Sequence, residues 1–568
     1  MARDQARAGY EDVEHIDRVV LIGFSGAGKS TVARLLGARL GWDVLDTDAE
    51  AEAAFAAPIA EVFRRHGEAA FRTTELATLT RGLDRDKVVV ACGGGAAVDE
   101  AVWRPDLLGR GGTLVVALET RSETALARLR AQRDAEGAAV ERPLLEGAEP
   151  LARIVALKAR RQESYDRAHL TLVVDGLAPE GVAAEIADLV VSDDKGDEPA
   201  LRLTTPGGAS AIYVRRGAAA RVGELARGRW VGSRRAWSIS DETVAGLHAA
   251  PLQASLAAAG FETRLLTVPP GERSKSLAEV GRLYDGLLGG GVERGDTVVA
   301  LGGGVVGDLA GFVAATTLRG IGLVQVPTTL LAMVDSSVGG KTGIDHAAGK
   351  NLIGAFYQPP VVAIDPAFLA TLPACEVGNG WAEIVKHAVI QASTPGGERA
   401  DLETFLARNE RRLRALEEPA TSYLIRRNVA LKAAVVAADE REAGIRALLN
   451  LGHTLGHAIE AAGYRLLHGE AVAVGMRAAA RLGVLVGSCF TSDVERIDAA
   501  LDRFGLPRRA SVDPKRAIEL LGSDKKRSAG RQRWVLPLAG GGVELRDNVP
   551  ASSVREALAA VLEPAAAT

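Results

Sequence analysis

Two hydrophobic patterns alternate along the chain. Short unbroken apolar runs that lead into glycine- or carboxylate-rich sequence read as strands buried on both faces, and longer stretches with apolar residues three and four apart read as helices. Strands of the first kind are predicted at Arg18–Ile22, Trp42–Leu45, Lys87–Ala91 and Thr113–Leu118, and helices at Val32–Leu40, Ala49–Ala57, Gly67–Arg72 and Arg121–Arg133. The pattern resumes with strands at Ala211–Val214, Ala236–Ser240, Asp296–Leu301 and Leu323–Val326, a helix at Leu277–Leu288 and another beginning near Leu309. After Pro373 it turns helical, with few strand signals until Trp534–Leu538. Strands alternating with helices predict an α/β protein with parallel sheets, followed by a mainly helical part.

Length and charge narrow this reading. A chain of 568 residues implies roughly three to four domain-sized units. The run Ser192–Pro199, charged and containing Gly196, reads as a solvated linker, which sets a boundary near residue 195. Residues 1–16 are polar and are expected to fray. A net charge of −4 gives no reason to expect nucleic acid or an anionic membrane as partner. The three cysteines, Cys92, Cys375 and Cys489, are odd in number and far apart, which fits a reducing compartment. No signal-like or membrane-spanning apolar run is present, so a cytoplasmic location is expected.

In the first half the strand at Arg18–Ile22 enters Gly23–Thr31, a Gly-x-x-x-x-Gly-Lys-Ser sequence that opens a helix. Gly26 and Gly28 let successive N–H groups, through Thr31, wrap phosphate oxygens at a helix N-terminus. Lys29 would reach the β- and γ-phosphates of ATP and Ser30 would ligate Mg2+. Asp46-Thr47-Asp48 ends the second strand, where α/β folds bind ligands. One carboxylate could serve the Mg2+ shell and the other a substrate hydroxyl, although a helix cap explains the motif equally well. Gly93-Gly94-Gly95 after the third strand points either to close backbone approach to a ligand or to a plain turn. Arg121, Arg128 and Arg130 read as a solvated helix face. The flexible stretch Asp134–Val140 before Arg142 reads as a lid that delivers a cation.

Taken in order, the phosphate loop, Asp46-Thr47-Asp48, Phe71-Arg72, Gly93-Gly94-Gly95, Arg142-Pro143-Leu144-Leu145 and Arg161–Tyr165 resemble the shikimate kinases over residues 16–190. The resemblance implies a P-loop kinase domain, a parallel sheet with helices on both faces. It implies that Asp48, Arg72, Gly94 and Arg161 hold shikimate, the two arginines gripping its carboxylate as a guanidinium does well. Arg142 would belong to the lid and Asp46 to the magnesium shell. The run Ala139-Val140-Glu141 before Arg142 departs from the family's usual lid sequence.

The second half contains Gly302-x-Gly304-x-x-Gly307 between a strand and a helix, the setting of a dinucleotide pyrophosphate site. The acidic residue usual ~20 positions later is missing, so a non-standard site or a glycine turn are both open. Lys341 and Lys350 lie in a glycine-lysine-rich stretch that reads as a loop, and such loop lysines suit a phosphorylated or acidic substrate. Glu383 and Lys386 are three apart on a predicted helix. Of nine histidines in the chain, His453, His457 and His468 fall within sixteen positions, and the first two share a helical face. Spacing alone reads His453 and His457 as two ligands of a divalent metal, His468 as a third imidazole, with a carboxylate from elsewhere.

This half resembles 3-dehydroquinate synthases over residues 200–565. The shared motifs are Pro270-Gly271-Glu272-x-x-Lys275, Gly302–Asp308, Pro327-Thr328-Thr329, Asp335–Thr342, Gly349-Lys350-Asn351, Ala382-Glu383-x-x-Lys386 and Leu449–His457. The resemblance implies a Rossmann-like NAD-binding part over 201–372 and a mainly α-helical metal-binding part over 373–568. It implies metal ligands Glu383, His453 and His468 for Zn2+ (or Co2+), which makes His457 a catalytic residue instead of a ligand. NAD+ contacts would fall at Asp241, Glu272, Lys275, Gly303, Gly304, Asp308, Thr328, Thr329 and Thr371. Substrate would meet Asp335, Lys341, Asn351, Lys386, Lys432, Arg446, Asn450, His457 and one of Lys525 and Lys526. Arg319 would reach the phosphate pocket of a second subunit, which implies a homodimer. Cys375–Gly380 and His387 depart from the family pattern on either side of Glu383.

Together the two resemblances imply an enzyme with two activities of aromatic biosynthesis. One is ATP-dependent phosphorylation of shikimate. The other converts 3-deoxy-D-arabino-heptulosonate 7-phosphate to 3-dehydroquinate and phosphate, with NAD+ recycled. Lys29, Asp48, Arg142, Lys386, Lys432, Arg446 and His457 are the expected catalytic groups. The rivals are another sugar-phosphate cyclase or a metal-dependent polyol dehydrogenase for the second half and another small-molecule kinase for the first. A further alternative is a non-catalytic regulatory module in one half. Lysines and Arg446 around the metal favour a phosphorylated acid, and the arginines of the first half favour a carboxylate-bearing acceptor.

Overall fold

The computed structural model describes residues 16–136, 149–190, 198–397, 401–463, 466–525 and 533–563. They fall into two compact units, one of residues up to 190 with 401–421, the other of the remainder.

In the first unit, β1 (Arg18–Gly23), α1 (Lys29–Leu40), β2 (Asp43–Asp46), α2 (Thr47–Phe55), α3 (Ile59–Leu83), β3 (Val88–Ala91), β4 (Thr113–Glu119), α4 (Ser122–Glu136), α5 (Pro150–Tyr165), β5 (Leu170–Val173) and α6 (Pro179–Val190) follow in order. The strands form one parallel sheet in the order β2-β3-β1-β4-β5. Every residue of β1, β3 and β4 is buried, which is why these runs are apolar at consecutive positions between polar ends (Arg18, Thr113, Glu119) instead of at alternate ones. Val20, Ile22, Leu79, Val90, Val115 and Leu129 meet in one core. The parallel order carries the C-terminal ends of β1, β2 and β3 to one edge, where the phosphate loop, Asp46–Asp48 and Gly93–Gly95 sit together.

Helices Leu402–Arg408 and Glu410–Arg414 cluster with this unit although they are remote in sequence. The buried Asn409 amide accepts from the Thr171 N–H at 3.0 Å and donates to the Thr171 carbonyl at 3.0 Å, so it pairs the free edge of β5 as a strand residue would.

In the second unit β6 (Leu201–Thr205), β7 (Gly208–Val214), β8 (Arg235–Asp241), α7 (Glu242–Ala258), β9 (Glu262–Val268), α8 (Leu277–Gly289), β10 (Thr297–Gly302), α9 (Gly304–Thr316), β11 (Gly322–Pro327), β12 (Lys341–His346), β13 (Gly349–Phe356) and β14 (Val361–Ile364) form the α/β part. The large sheet runs β6-β7-β14-β11-β10-β8-β9. It is parallel except for the β6–β7 hairpin. From β8 the chain moves outward to β9 and then returns to the other side of β8 as β10, so the strand order reverses between β8 and β10. Ligands of open α/β sheets bind at such a reversal. The helix expected near Leu309 begins earlier, at Gly304, directly at the strand end. The stretch expected as a glycine-lysine loop is the antiparallel hairpin β12–β13.

The helical part contains α10 (Ala374–Ile390), α11 (Ala420–Ala438), α12 (His453–Gly463) and α13 (His468–Leu485). The strand expected at Trp534–Leu538 is present as Trp534–Pro537, paired with Val543–Arg546. None of the described helices is long and apolar enough to cross a membrane.

Candidate active sites

The first site forms around the turn after β1. Gly26 and Gly28 have φ of 82° and 91°, left-handed conformations that favour glycine and that aim the backbone around a pocket. Lys29 is buried, and its Nζ donates to the carbonyls of Gly23 at 3.0 Å and Phe24 at 3.1 Å. Burial pushes its ammonium below the ordinary lysine value, against the pull of Asp48. Ser30 is exposed at the first turn of α1. Asp46 caps α2, its Oδ1 accepting from the N–H groups of Asp48 and Ala49, so the helix-cap reading of Asp46-Thr47-Asp48 describes this residue. Burial raises the carboxyl of Asp48 to about 6, with Lys29 opposing.

Three glycines bring this cluster together. An added Cβ at Gly93 would lie 2.4 Å from Asp48 Oδ1 and 2.3 Å from Glu75 Oε1, and one at Gly95 would lie 2.3 Å from the Arg72 guanidinium. The Gly94 carbonyl accepts from Arg161 at 2.8 Å and from the Tyr165 hydroxyl at 2.6 Å. The run is a turn closed by the Ala96 N–H on the Gly93 carbonyl at 3.2 Å, and the side chains of Asp48, Glu75 and Arg72 approach it closely. Arg72 and Arg161 thus border the same backbone segment as Asp48.

Two residues here escape the sequence reading. Glu75 is a buried carboxylate that pairs with Arg72 one helical turn away and orients it. Its signal, a carboxylate three positions after the arginine, is common on any helix. Arg128 was expected on a solvated face with Arg121 and Arg130. Instead it donates to the carbonyls of Gly26 at 3.3 Å and Val174 at 3.4 Å and braces the phosphate loop, while Arg121 and Arg130 are exposed. Of the stretch expected as a lid, Asp134–Glu136 instead end helix α4, and the rest with Arg142 lies outside the described residues, as do the side chain of Lys525 and all of Lys526.

The second site centres on Glu383 of α10, 1% exposed. Its Oε1 lies 3.5 Å from Nε2 of His453 and 3.7 Å from Nε2 of His468. The Lys386 ammonium sits beside its Oε2, yet neither oxygen accepts an aligned hydrogen bond. Both histidines have the other nitrogen engaged. Nδ1 of His453 faces the Leu451 carbonyl at 3.2 Å, and Nδ1 of His468 faces Glu460 at 3.5 Å. In the neutral form, donating there leaves a lone pair on each Nε2, toward Glu383. Burial holds His453 well below its ordinary value, hence neutral. Burial lowers His468 as well, but Glu460 and Glu383 outweigh it and raise this imidazole above its ordinary value. Two imidazoles whose Nε2 atoms converge on one buried carboxylate oxygen fit a divalent metal of borderline softness.

His457 is exposed on α12, its ring centroid 5.4 Å from that of His453 and 5.7 Å from that of His468, so the helical spacing did place it beside the cluster. Nitrogens of all three histidines approach within 4.8 Å of one another. A second group, Asp335, Glu383 and His387, is equally close and shares Glu383, but its Asp335 is neutralised by the Lys432 ammonium.

Around the metal-type cluster the polar side chains are mutually paired. Asp335 lies in a π-helical turn, Ala332–Ser336, a distortion that often marks functional sites. Lys432 Nζ is 2.8 Å from Asp335 Oδ1, and burial lowers this lysine to about 8 against the attraction of Asp335. Lys341 and Asn450 both bond Glu442, a carboxylate the sequence reading missed because Asp439–Glu442 reads as a solvated charge run. Arg446 is 1% exposed and donates to the Gly339 and Glu440 carbonyls, so in this arrangement its guanidinium faces backbone.

The two departures near Glu383 are explained by packing. Asn379 accepts from the Gly469 N–H at the start of α13, next to His468. His387 is fully buried, contacts Asn428 Oδ1 at 3.0 Å through Nδ1, and is lowered to about 4, first by burial and then by Lys386.

The expected NAD+ residues gather at the strand reversal. Asp241 ends β8 and caps α7. Gly303 and Gly304 open α9 at the end of β10, and the Thr328 N–H returns to the Gly302 carbonyl. Thr328 is buried with an unpartnered hydroxyl. Lys275 joins Asp308 at 2.9 Å and Asn351 at 2.6 Å, with Glu272 at 3.5 Å. Thr371 meets His248 instead, at 2.9 Å. The free N-terminus of α9 and the unpartnered Thr328 fit a pyrophosphate-bearing cofactor. Arg319 is exposed, and it and Leu318 take φ of 70° and 50°, two successive non-glycine residues in the left-handed region.

Comparison with known proteins matches these two sites to two families. The shikimate kinase family model matches residues 25–191, and the N-terminal and C-terminal models of 3-dehydroquinate synthase match 265–379 and 380–527. A 3-dehydroquinate synthase of Synechococcus sp. is 48% identical over 317 residues, 55% of this chain and 85% of that protein. That of Symbiobacterium thermophilum is 46% identical over 357 residues, 62% of this chain and 97% of its own length. The solved 2-epi-5-epi-valiolone synthase of Streptomyces hygroscopicus subsp. jinggangensis, with NAD+ and Zn2+ bound, is 30% identical with a TM-score of 0.53, covering 58% of this chain and 91% of that one. The chain therefore belongs to the 3-dehydroquinate synthase family and carries, ahead of that synthase, a domain of the shikimate kinase family.

Proposed function

We infer that this chain is a bifunctional enzyme of aromatic biosynthesis. Its domain of residues 17–190 phosphorylates shikimate from Mg·ATP. Its synthase domain, with an NAD-binding part over 201–372 and a helical part from 373 onward, converts 3-deoxy-D-arabino-heptulosonate 7-phosphate to 3-dehydroquinate and phosphate. The observation that carries the synthase reading is Glu383, whose buried oxygens lack aligned partners and face two Nε2 atoms among lysines. The kinase reading rests on Arg72, Arg161 and Asp48 meeting over Gly93–Gly95 behind a phosphate loop.

In the kinase, Gly26, Gly28 and the N–H groups of Lys29, Ser30 and Thr31 cradle the phosphates, with Ser30 and Asp46 toward Mg2+. Lys29, now bonded to Gly23 and Phe24, has only carbonyls to release in turning to a phosphate. Arg72 and Arg161 hold the acceptor carboxylate, Gly94 presents backbone to its ring, and ionised Asp48 accepts the proton of the attacking hydroxyl. Arg142 belongs to the lid that covers the site.

In the synthase, Glu383, His453 and His468 hold the metal, and Asp241, Glu272, Lys275, Gly303, Gly304, Asp308, Thr328, Thr329 and Thr371 line the NAD+ crevice. A bound Zn2+ or Co2+ supplies a Lewis acid toward a substrate hydroxyl, and NAD+ supplies a hydride acceptor regenerated within the cycle. Lys386, Lys341, Lys432, Arg446, Asn351 and Asn450, with a lysine of Lys525-Lys526, neutralise carboxylate and phosphate charge on the substrate. Lys432, lowered to about 8, lies beside Asp335 and can hold or release a proton near neutrality, and His457 faces the same space. Glu442 holds Lys341 and Asn450 until an anionic substrate replaces it.

The test supplies the seven-carbon phosphorylated keto acid and follows phosphate and 3-dehydroquinate, before and after metal removal and NAD+ stripping. Turnover should need both, without net NADH. Absence of turnover with both restored overturns the synthase reading in favour of another sugar-phosphate cyclase or a polyol dehydrogenase.

The synthase domain also forms a homodimer in this reading, with the left-handed, exposed Arg319 reaching the phosphate pocket of a second copy. Sedimentation should give twice the chain mass. Arg319→Ala should raise KM for the phosphorylated substrate and leave shikimate phosphorylation unchanged. A monomer with full synthase activity would refute it. A cytoplasmic location accords with this small-molecule chemistry.

A further inference from the structure

One carboxylate joins the metal-type cluster to the nucleotide crevice, and it appears in neither the ligand set nor the dinucleotide contacts. Glu460 lies on α12, two turns after His453, and is 9% exposed. Its two oxygens engage different partners. Oε2 is 3.5 Å from Nδ1 of His468, and Oε1 accepts from Nζ of Lys350 at 2.6 Å. Lys350 stands on β13, and its Nζ is also 3.8 Å from Oε1 of Glu272. That same Glu272 oxygen is 3.5 Å from Lys275 Nζ, which closes on Asp308 and on Asn351, the neighbour of Lys350. A continuous row of alternating charges therefore runs from His468 through Glu460, Lys350 and Glu272 to Lys275 and Asp308.

The chemistry of the row gives it a direction. A carboxylate at Nδ1 of a ligating histidine fixes the tautomer and strengthens Nε2 as a ligand. Here that carboxylate is shared with an ammonium, which withdraws part of its charge from the imidazole. An anionic group arriving in the crevice beside Glu272 and Lys275 attracts the ammonium of Lys350 away from Glu460. Glu460 then acts more fully on His468, and Nε2 becomes the better donor. Because binding free energies are linked, a bound metal must favour the anion by the same factor.

We propose that Glu460 is the positioning residue of His468 and that, through Lys350, it couples the metal site to the dinucleotide site so that each ligand binds more tightly in the presence of the other. The proposal rests on the reading of Glu383, His453 and His468 as the metal site and of the β8–β10 crevice as the NAD+ site.

The experiment titrates Co2+ into the metal-free full-length protein against a competing chelator, following the visible absorption of the bound ion, with and without saturating NAD+. NAD+ binding is measured calorimetrically with and without metal. In the unmodified protein NAD+ should tighten Co2+ by at least ~5-fold, and Co2+ should tighten NAD+ equally. Glu460→Gln should weaken Co2+ by ~10- to 100-fold and remove the reciprocal effect. Lys350→Met should leave Co2+ affinity without NAD+ within a few-fold, yet also remove the reciprocal effect, and the double variant should show no further loss of it.

Unchanged Co2+ affinity in Glu460→Gln, or full reciprocity in Lys350→Met, would overturn the proposal while leaving the site assignments intact. An unmodified protein that fails to bind Co2+ or NAD+ would instead overturn the assignments themselves, and the coupling with them. Lys350→Met also guards against a Glu460 variant that is merely misfolded, since Lys350 is half exposed and touches no metal-type residue.

Discussion

Glu383→Gln should lose more than ~100-fold in both metal affinity and synthase turnover, while shikimate phosphorylation by the same molecules stays unchanged. The lower bound follows from what loss of an outer partner alone does to a metal site, ~10- to 100-fold, since Glu383 is read as a ligand itself. The amide keeps the volume of the carboxylate, so packing on α10 is preserved. It removes the negative charge facing Nε2 of His453 and His468 and lying beside Lys386, whose ammonium is 1% exposed. That buried cation then loses its nearest carboxylate, and the same site turns from attracting a divalent ion to repelling one. Metal content by elemental analysis and 3-dehydroquinate formation would be measured on one preparation, with the kinase as internal control. A Glu383→Gln protein that retains one tightly bound metal and full turnover would remove Glu383 from the ligand set, leaving the three histidines as the alternative that spacing first indicated.

The kinase should respond as strongly to Asp48→Asn, with a fall of ~10²- to 10⁴-fold in kcat, the usual range for removing a general base. Asp48 carries a second, more diagnostic expectation. Burial raises its carboxyl to about 6, above its ordinary value of 3.8. A raised carboxyl gains its proton as pH falls through about 6, and the protonated form cannot accept a proton from the hydroxyl of shikimate. Kinase activity should therefore drop below pH ~6, where an unshifted aspartate would sustain it down to about pH 4. The residual activity of Asp48→Asn should show no such acid limb. Neither change should alter synthase turnover. An acid limb that persists unchanged in Asp48→Asn would assign it to another group, with Glu75, also raised by burial, the first candidate.

Several parts of this protein were legible because a local rule acts on neighbouring residues. The strand–glycine–helix sequence at Arg18–Thr31 fixes its own geometry, since only glycine adopts the positive φ at Gly26 and Gly28 without cost and a helix must follow. Helical periodicity put His453 and His457 on one face, and their rings do adjoin. The resemblance to known families then supplied Glu383, which no spacing argument links to residues seventy positions later. The strands β5 and β14 give weak sequence signals because each is 4 residues long, and β9, although 7 residues long, does so because it is half-exposed without a continuous apolar run. The β12–β13 hairpin reads as a loop in the sequence, since its glycines and lysines mask a pairing that only the opposite strand completes.

Charged residues divided along the same line. Arg128 and Arg130 look alike in sequence, yet one braces Gly26 and the other faces solvent, because the tilt of α4 against the phosphate loop decides which side of the helix meets backbone. Glu442 and Glu460 read as ordinary surface carboxylates until folding brings Lys341, Asn450, His468 and Lys350 to them.

The sequence by itself determined the α/β class, the phosphate loop, the change from sheet-building to helical sequence near Pro373, and the families to which each half is similar. Each rests on interactions spanning a few residues, or on a long shared order of motifs. The tertiary structure alone decided the strand reversal between β8 and β10, the reach of Asn409 to the edge of β5, and the meeting of Glu383 with two imidazoles. Those depend on which surfaces bury one another. Burial acts between residues that are distant along the chain, so no local pattern records the partner.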